Sequence, residues 1–133
     1  MLGLGALVAE MAEQGITAAA LLQGTGLAPE QLADPKALMS TAQKVTVLRN
    51  VQRLSAVPDV GLRAGCRQRL SDFGVWGYAL ASSATFGDAV VLGIRHIKLA
   101  GPVLEKRFRV EGDRAIFEGC DVLQLGDILD LAG

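Results

Sequence analysis

The chain has 133 residues, half of them hydrophobic and only 5% aromatic, with a net charge of −1. That length suits one domain burying roughly two-thirds of its unfolded surface, and a composition dominated by Ala, Leu and Val favours helices over an all-β sandwich. No uncharged run reaches the roughly 18 residues a membrane span needs, and the apolar N-terminal stretch lacks the basic lead of an export signal, so a cytoplasmic chain without membrane contact is expected.

In chain order, Leu4 to Gln14 reads as a helix stopped near Gly15. Thr17 can cap a short helix from Ala18 to Gln23, and Pro29 can open a single turn to Leu32, where its missing N–H is not needed. Ser40 begins the clearest helix. Gln43 three residues on completes a capping box, and Val45, Leu48, Val51 and Leu54 recur along one face, with Lys44, Arg49, Gln52 and Arg53 over the rest. Pro58 starts a further helix to about Gln68.

Next comes RLSDFGVWGYALASSATFGDA, residues 69 to 89. Ser71 or Asp72 can cap a helix from Phe73 to Leu80, with Gly74, Gly77 and Ala81 as a small-residue stripe for close packing. Thr85 caps the next helix, with Asp88 in its first turn and Arg95, His96 and Lys98 late in it, where positive charge suits the helix dipole; Gly101-Pro102 ends it. Val103 to Val110 and Ala115 to Glu118 then alternate as two strands around a Gly112-Asp113 turn. In the tail, Val122, Leu125, Ile128 and Leu129 fit a helix that Gly126 weakens. The sum is an α+β domain, an N-terminal helical bundle packed with a small antiparallel sheet.

Charge is unevenly spread. Residues 1–35 hold four acids and no Lys, Arg or His; residues 36–109 are net +8; residues 110–133 are net −5. Either the acidic ends pack on the basic middle, or the middle forms a basic pocket for an anionic partner.

The chemistry-bearing residues exclude several functions. Asp72-Phe73-Gly74 matches the magnesium-holding letters of a protein kinase, but no glycine-rich loop, strand lysine or catalytic loop accompanies it, so it reads as the start of a helix. His96 is the single histidine, and no G-x-S-x-G surrounds a serine, so no catalytic residues are expected. Cys66 and Cys120 fit no metal spacing and are expected as reduced, small core residues; no metal or cofactor follows. The GxG at residues 3 to 5 follows no strand. Residues 5 to 32 outline a helix-turn-helix but carry no basic residue, and phosphate neutralisation requires Lys and Arg. Trp76 and Tyr78 flank Gly77 on different faces of one helix, as core residues or as walls of a ligand pocket.

The run GLRAGCRQRLSDFGVWGYALASSATFGDAVVLGIRHIKLAGP, residues 61 to 102, resembles the N-terminal effector domain of AraC-type transcriptional regulators, in the branch labelled "arabinose-binding domain". Asp72, Phe73, Gly74, Gly77, Tyr78, Ala79, Ser82, Thr85, Asp88 and Ala89 carry the pattern, and the likeness extends over about residues 5 to 118. The resemblance implies a bacterial sensor that binds a small-molecule effector, often dimerises, and reaches promoter DNA through a C-terminal double helix-turn-helix. No such pair stands before Gly133, so an incomplete single effector-binding and dimerisation domain is expected across residues 1–133. The competing class is a fragment of a helical enzyme or carrier domain.

The candidate contacts for an effector are Trp76, Tyr78, Arg67, Arg95 and His96. Ser71, Asp72, Gly74, Gly77, Thr85 and Asp88 are expected to shape the motif. The arginines of the basic middle, Arg49, Arg53, Arg63, Arg67, Arg69 and Arg95, favour an anionic or zwitterionic effector, because a guanidinium holds a carboxylate with two parallel hydrogen bonds.

Overall fold

A computed structural model describes residues 3–34 and 37–128. Six α-helices precede one hairpin: α1 (Gly5–Glu13), α2 (Ala18–Leu21), α3 (Thr41–Leu54), α4 (Val60–Arg67), α5 (Gly74–Ala81) and α6 (Phe86–Arg95), then β1 (Glu105–Glu111) and β2 (Arg114–Cys120). The α+β class expected from the sequence is the one observed.

The helix starts follow local hydrogen-bonding chemistry. The Thr17 hydroxyl accepts from the Ala20 N–H at 3.2 Å. At α3 both halves of the capping box form, Gln43 N–H to Ser40 Oγ at 3.2 Å and Ser40 N–H to Gln43 Oε1 at 2.9 Å. Pro29 opens a 3-10 turn, Pro29–Leu32. β1 and β2 pair antiparallel with Glu111 opposite Arg114, and Gly112, at φ 62°, takes the first place of the two-residue loop, where a side chain would be strained.

Met11 of α1, Leu21 of α2, and Val47 and Val51 of α3 are almost fully enclosed, with Val60 and Ala64 of α4 beside them. Val103 and Leu104, just before β1, and Leu125 and Ile128 of the tail complete the same core. A buried Asn50 ties α3 to α2: its amide donates to the carbonyls of Leu21 and Gln23, each at 2.8 Å, where the helix leaves its last carbonyls unpaired. The acidic first segment packs on the basic middle as one of the two charge readings has it. Buried Glu10 meets Arg67 Nε at 2.8 Å, and Glu13 meets Arg67 Nη2 at 2.6 Å.

Several local expectations are corrected. α6 ends at Arg95 with His96 as its C-cap, and a separate 3-10 turn, Ile97–Ala100, leads to left-handed Gly101. The tail forms no α-helix up to residue 128: Gln124 and Gly126 both take positive φ, and only a 3-10 turn, Gly126–Ile128, appears. Leu125 and Ile128 are core even so, while Val122 is exposed; Leu129 lies outside the described residues. Cys66 is exposed rather than buried, because it lies on the face of α4 turned away from Val60 and Ala64. No described helix is long and apolar enough to cross a membrane.

Candidate functional site

The motif residues build one corner of the molecule. A 3-10 turn, Leu70–Phe73, precedes α5, and the Asp72 carboxylate reaches back to accept the Arg69 N–H at 2.9 Å. Neither Ser71 nor Asp72 caps α5, whose N-cap position is Phe73 without a side-chain bond. Asp72 closes the turn before the helix, because Gly74, at φ 57°, swings the chain into a new direction between the two. The Asp-Phe-Gly letters are a turn-and-helix junction.

Gly77 makes the tight contact, though not as part of a stripe. A Cβ built on it would lie 1.6 Å from the Leu70 carbonyl oxygen, so the backbone of the preceding turn occupies the space a side chain needs. Ala81 is exposed and takes no part. On α6, Gly93 faces Trp76 and Leu80 of α5. Thr85 caps α6 as expected, accepting from the Asp88 N–H at 3.1 Å and donating to the Asp88 carboxylate at 2.7 Å.

Between α5, α6 and β2 lies an open apolar cleft of about 430 Å³. Trp76 and Leu80 form one wall, Phe86, Val90 and Ile94 the other, and Phe117 comes from β2, while Ser83 and Thr85 are the hydroxyl-bearing residues on its lining. Trp76 is held edge-on against Phe73, ring centroids 5.4 Å apart at 73°. Its buried Nε1–H meets no acceptor among the described residues.

Trp76 and Ile97 also line a second cavity of about 160 Å³, with Lys44, Gln68, Phe73 and Lys106. Lys44 donates to the Gly101 carbonyl at 2.6 Å. Burial, and then the charge of Lys106, push the Lys44 ammonium below its usual range, and burial pushes Lys106 down likewise. Neither lysine has a carboxylate partner among the described residues.

The sequence-derived contacts divide. Trp76 lines both cavities; Tyr78, on the other face of α5, is 68% exposed and lines neither. Arg67 is bound to Glu10 and Glu13, whose hydrogen bonds and charges raise its pKa, and it lines neither cavity. Arg95 is exposed beside a shallow depression with Asp88 and Leu92, and His96 is exposed at the C-terminus of α6. Arg63 pairs with Asp59 and Glu10, and Arg53 leans on Gln23 and Asn50.

Lys44, Gln68 and Lys106 went unmarked in the sequence. The signal for Lys106 was available, since it shares the inward-facing positions of β1 with Phe108, where an ammonium is out of place.

The family model described as "Arabinose-binding domain of AraC transcription regulator, N-term" matches residues 15–125. The ornithine utilization regulator of Pseudomonas aeruginosa is 29% identical over 121 residues, 91% of this chain and 36% of that protein. Uncharacterized HTH-type transcriptional regulators of Mycobacterium bovis and Mycobacterium tuberculosis are each 31% identical over 90 residues, 65% of this chain and 26% of theirs. The match thus spans about a third of the length of the first of these relatives and about a quarter of the other two. No solved structure matches it.

Proposed function

Because the chain belongs to the family of N-terminal domains of AraC-type transcription regulators, we propose that it is the small-molecule sensing part of such a regulator, with the apolar cleft between α5 and α6 as the effector site. One observation carries this reading. The two helices that bear the family pattern, α5 and α6, meet where Gly93 faces Trp76 and Leu80, and beside that contact they border an open apolar cleft. Ligand sites are concave, mostly apolar and supplied with a few polar groups, and this cleft has that character. A lining so poor in hydroxyls and amides is not that of a sugar site, so the effector is read as apolar over most of its surface and not as arabinose. Thermal denaturation against a metabolite panel tests the reading, since a ligand that binds only the folded state raises the midpoint. A panel in which no compound shifts the midpoint counts against it.

Self-association is the second part of the proposal. Val75 and Tyr78 of α5 and Phe86 of α6 are 82%, 68% and 84% exposed, and exposed large apolar side chains suit a homodimer contact. Light scattering on the chain, and on Tyr78→Ser with Phe86→Ser, checks it: a monomer in the unaltered chain ends the dimer proposal. Promoter DNA is assigned to a C-terminal domain of the whole regulator acting in a bacterial cytoplasm. The present chain should give no discrete, salt-resistant complex in a gel shift. The family is one of regulator domains, and we assign the chain no catalytic step.

A further inference from the structure

We propose that the cavity lined by Lys44, Gln68, Trp76 and Lys106 receives the carboxylate of the effector, whose apolar body lies across Trp76 and Ile97 into the larger cleft. The proposal rests on the sensing role and adds the chemical class of what is sensed.

Four observations converge on it. First, Lys44, whose ammonium donates to the Gly101 carbonyl, and Lys106, whose ammonium lies 5.8 Å from the centre of the Phe117 ring, both line one small cavity, and none of the residues lining either cavity is Asp or Glu. Half-buried cations without a counter-charge are costly, and most proteins pair them. This molecule pairs Arg63, Arg67, Arg107 and Arg109 with carboxylates and leaves these two lysines without one among the described residues. Second, burial and the Lys44–Lys106 repulsion both disfavour the charged lysines, and an anion between them reverses both effects. Third, Trp76, whose buried Nε1–H meets no acceptor among the described residues, lines the same cavity as the two lysines. Fourth, Trp76 and Ile97 line both cavities, so a head in one and a body in the other meet along their side chains.

The same chemistry speaks against a dibasic amino acid. A second ammonium group would find no acid on either lining, and an α-ammonium beside the lysines would add a third positive charge. The arginine fork expected from the sequence is replaced by two point charges, which set the sign of the ligand and leave its shape to the apolar wall.

Trp76 is the single tryptophan, so its emission reports on this place alone. The full chain is titrated with linear carboxylates from butanoate to decanoate, with the amide of each, and with ornithine. Saturable changes in Trp76 emission are expected with carboxylates, at least tenfold weaker with the matching amides, and absent with ornithine. Lys44→Met and Lys106→Met should each weaken carboxylate binding at least tenfold, with helical circular dichroism retained. Exposed Lys98→Gln, on neither lining, should leave it unchanged. Two lysine variants keep the test alive if one of them fails to fold. Amides that bind as tightly as acids, lysine variants that bind unchanged, or binding by ornithine instead would overturn the anionic head while leaving a sensor in place. If no compound of any charge alters the emission or the melting midpoint, the sensing role falls with it.

Discussion

The region formed by α1 to α4 and the region formed by α5, α6 and the hairpin contain similar proportions of apolar side chains and use them in opposite ways. In the first, Met11, Leu21, Val47 and Val51 are sealed inside, and a polar group that enters the interior, such as Asn50 or Glu10, arrives with its partners. In the second, α5 is apolar around its whole circumference, yet Gly77 is its sole buried residue, and Phe86 and Val75 stand in the open. A helix apolar on all sides belongs in an interior or at a contact. The sealed core thus belongs to α1 to α4, closed by Val103, Leu104, Leu125 and Ile128, while α5 and α6 leave much of their apolar surface in the open.

The second region turns on the contact between Gly77 and the backbone of Leu70. Gly77→Val should cost about 4–5 kcal/mol, the upper end for one substitution, because its Cβ would overlap the Leu70 carbonyl. Even Gly77→Ala should be damaging, since the obstacle is backbone and cannot rotate away. Urea denaturation followed by Trp76 emission reads it, and a wild-type midpoint for either variant would remove the close-contact account of the motif.

The next effect compares equal surgery in the two regions. Met11→Ala should cost about 3 kcal/mol, the transfer and cavity terms of a large buried side chain. Phe86→Ala removes a larger group and should change stability by less than about 0.5 kcal/mol, because the ring is already in water. Comparable losses in the two variants would mean that the cleft is closed in solution and that the regions do not differ.

Most of the first region was legible in the sequence, because its helices are written in local chemistry: Ser40 with Gln43, Thr17, Pro29, and apolar residues at helical spacing. The hairpin was legible for the same reason. What escaped depends on distant segments. Asp72 looks like a helix cap in sequence and instead closes the preceding turn, since Gly74 redirects the chain between them. The tail has helical spacing, but Leu125 and Ile128 reach the core beside two positive-φ residues, Gln124 and Gly126. Of the site, Trp76 was legible as an aromatic beside a glycine. The lysines were not, because Lys44 and Lys106 stand 62 positions apart and only the packing of the turn before β1 against α3 brings them together.

A smaller effect separates the roles of the motif's acid. Asp72→Ala should cost about 1 kcal/mol, the value of one charge-assisted turn closure at an exposed site. It should leave calorimetric titration with Mg-ATP as flat as in the unaltered chain. Saturable Mg-ATP binding that the substitution abolishes would restore a phosphoryl-transfer meaning to Asp72-Phe73-Gly74.

The smallest effect concerns pH and the unpaired lysines. In the folded chain the Lys44 pKa lies below its unfolded value, through burial first and Lys106 second; Lys106 lies below its own through burial. A group with a lowered folded pKa binds its proton more readily in the unfolded chain, so stability rises with pH across the window between the two values and levels off above the ordinary lysine value of about 10.4. No acid on the cavity lining offsets this, and Lys106 is the one titratable group there beside Lys44. The ligand-free chain should therefore gain stability, relative to Lys44→Met, whose side chain does not titrate, as the pH rises toward the ordinary lysine value of about 10.4. Taking the difference between the two proteins cancels ionisable groups far from the cavity, while Lys106, coupled to Lys44, stays in it. With a bound carboxylate the slope should reverse, since the anion favours the protonated lysines and is released as they lose their charge. Urea midpoints at three pH values, with and without octanoate, decide the matter. Parallel profiles for the two proteins would show that the ammonium groups of this cavity are already compensated, and that the second region is less open to a ligand than its geometry states.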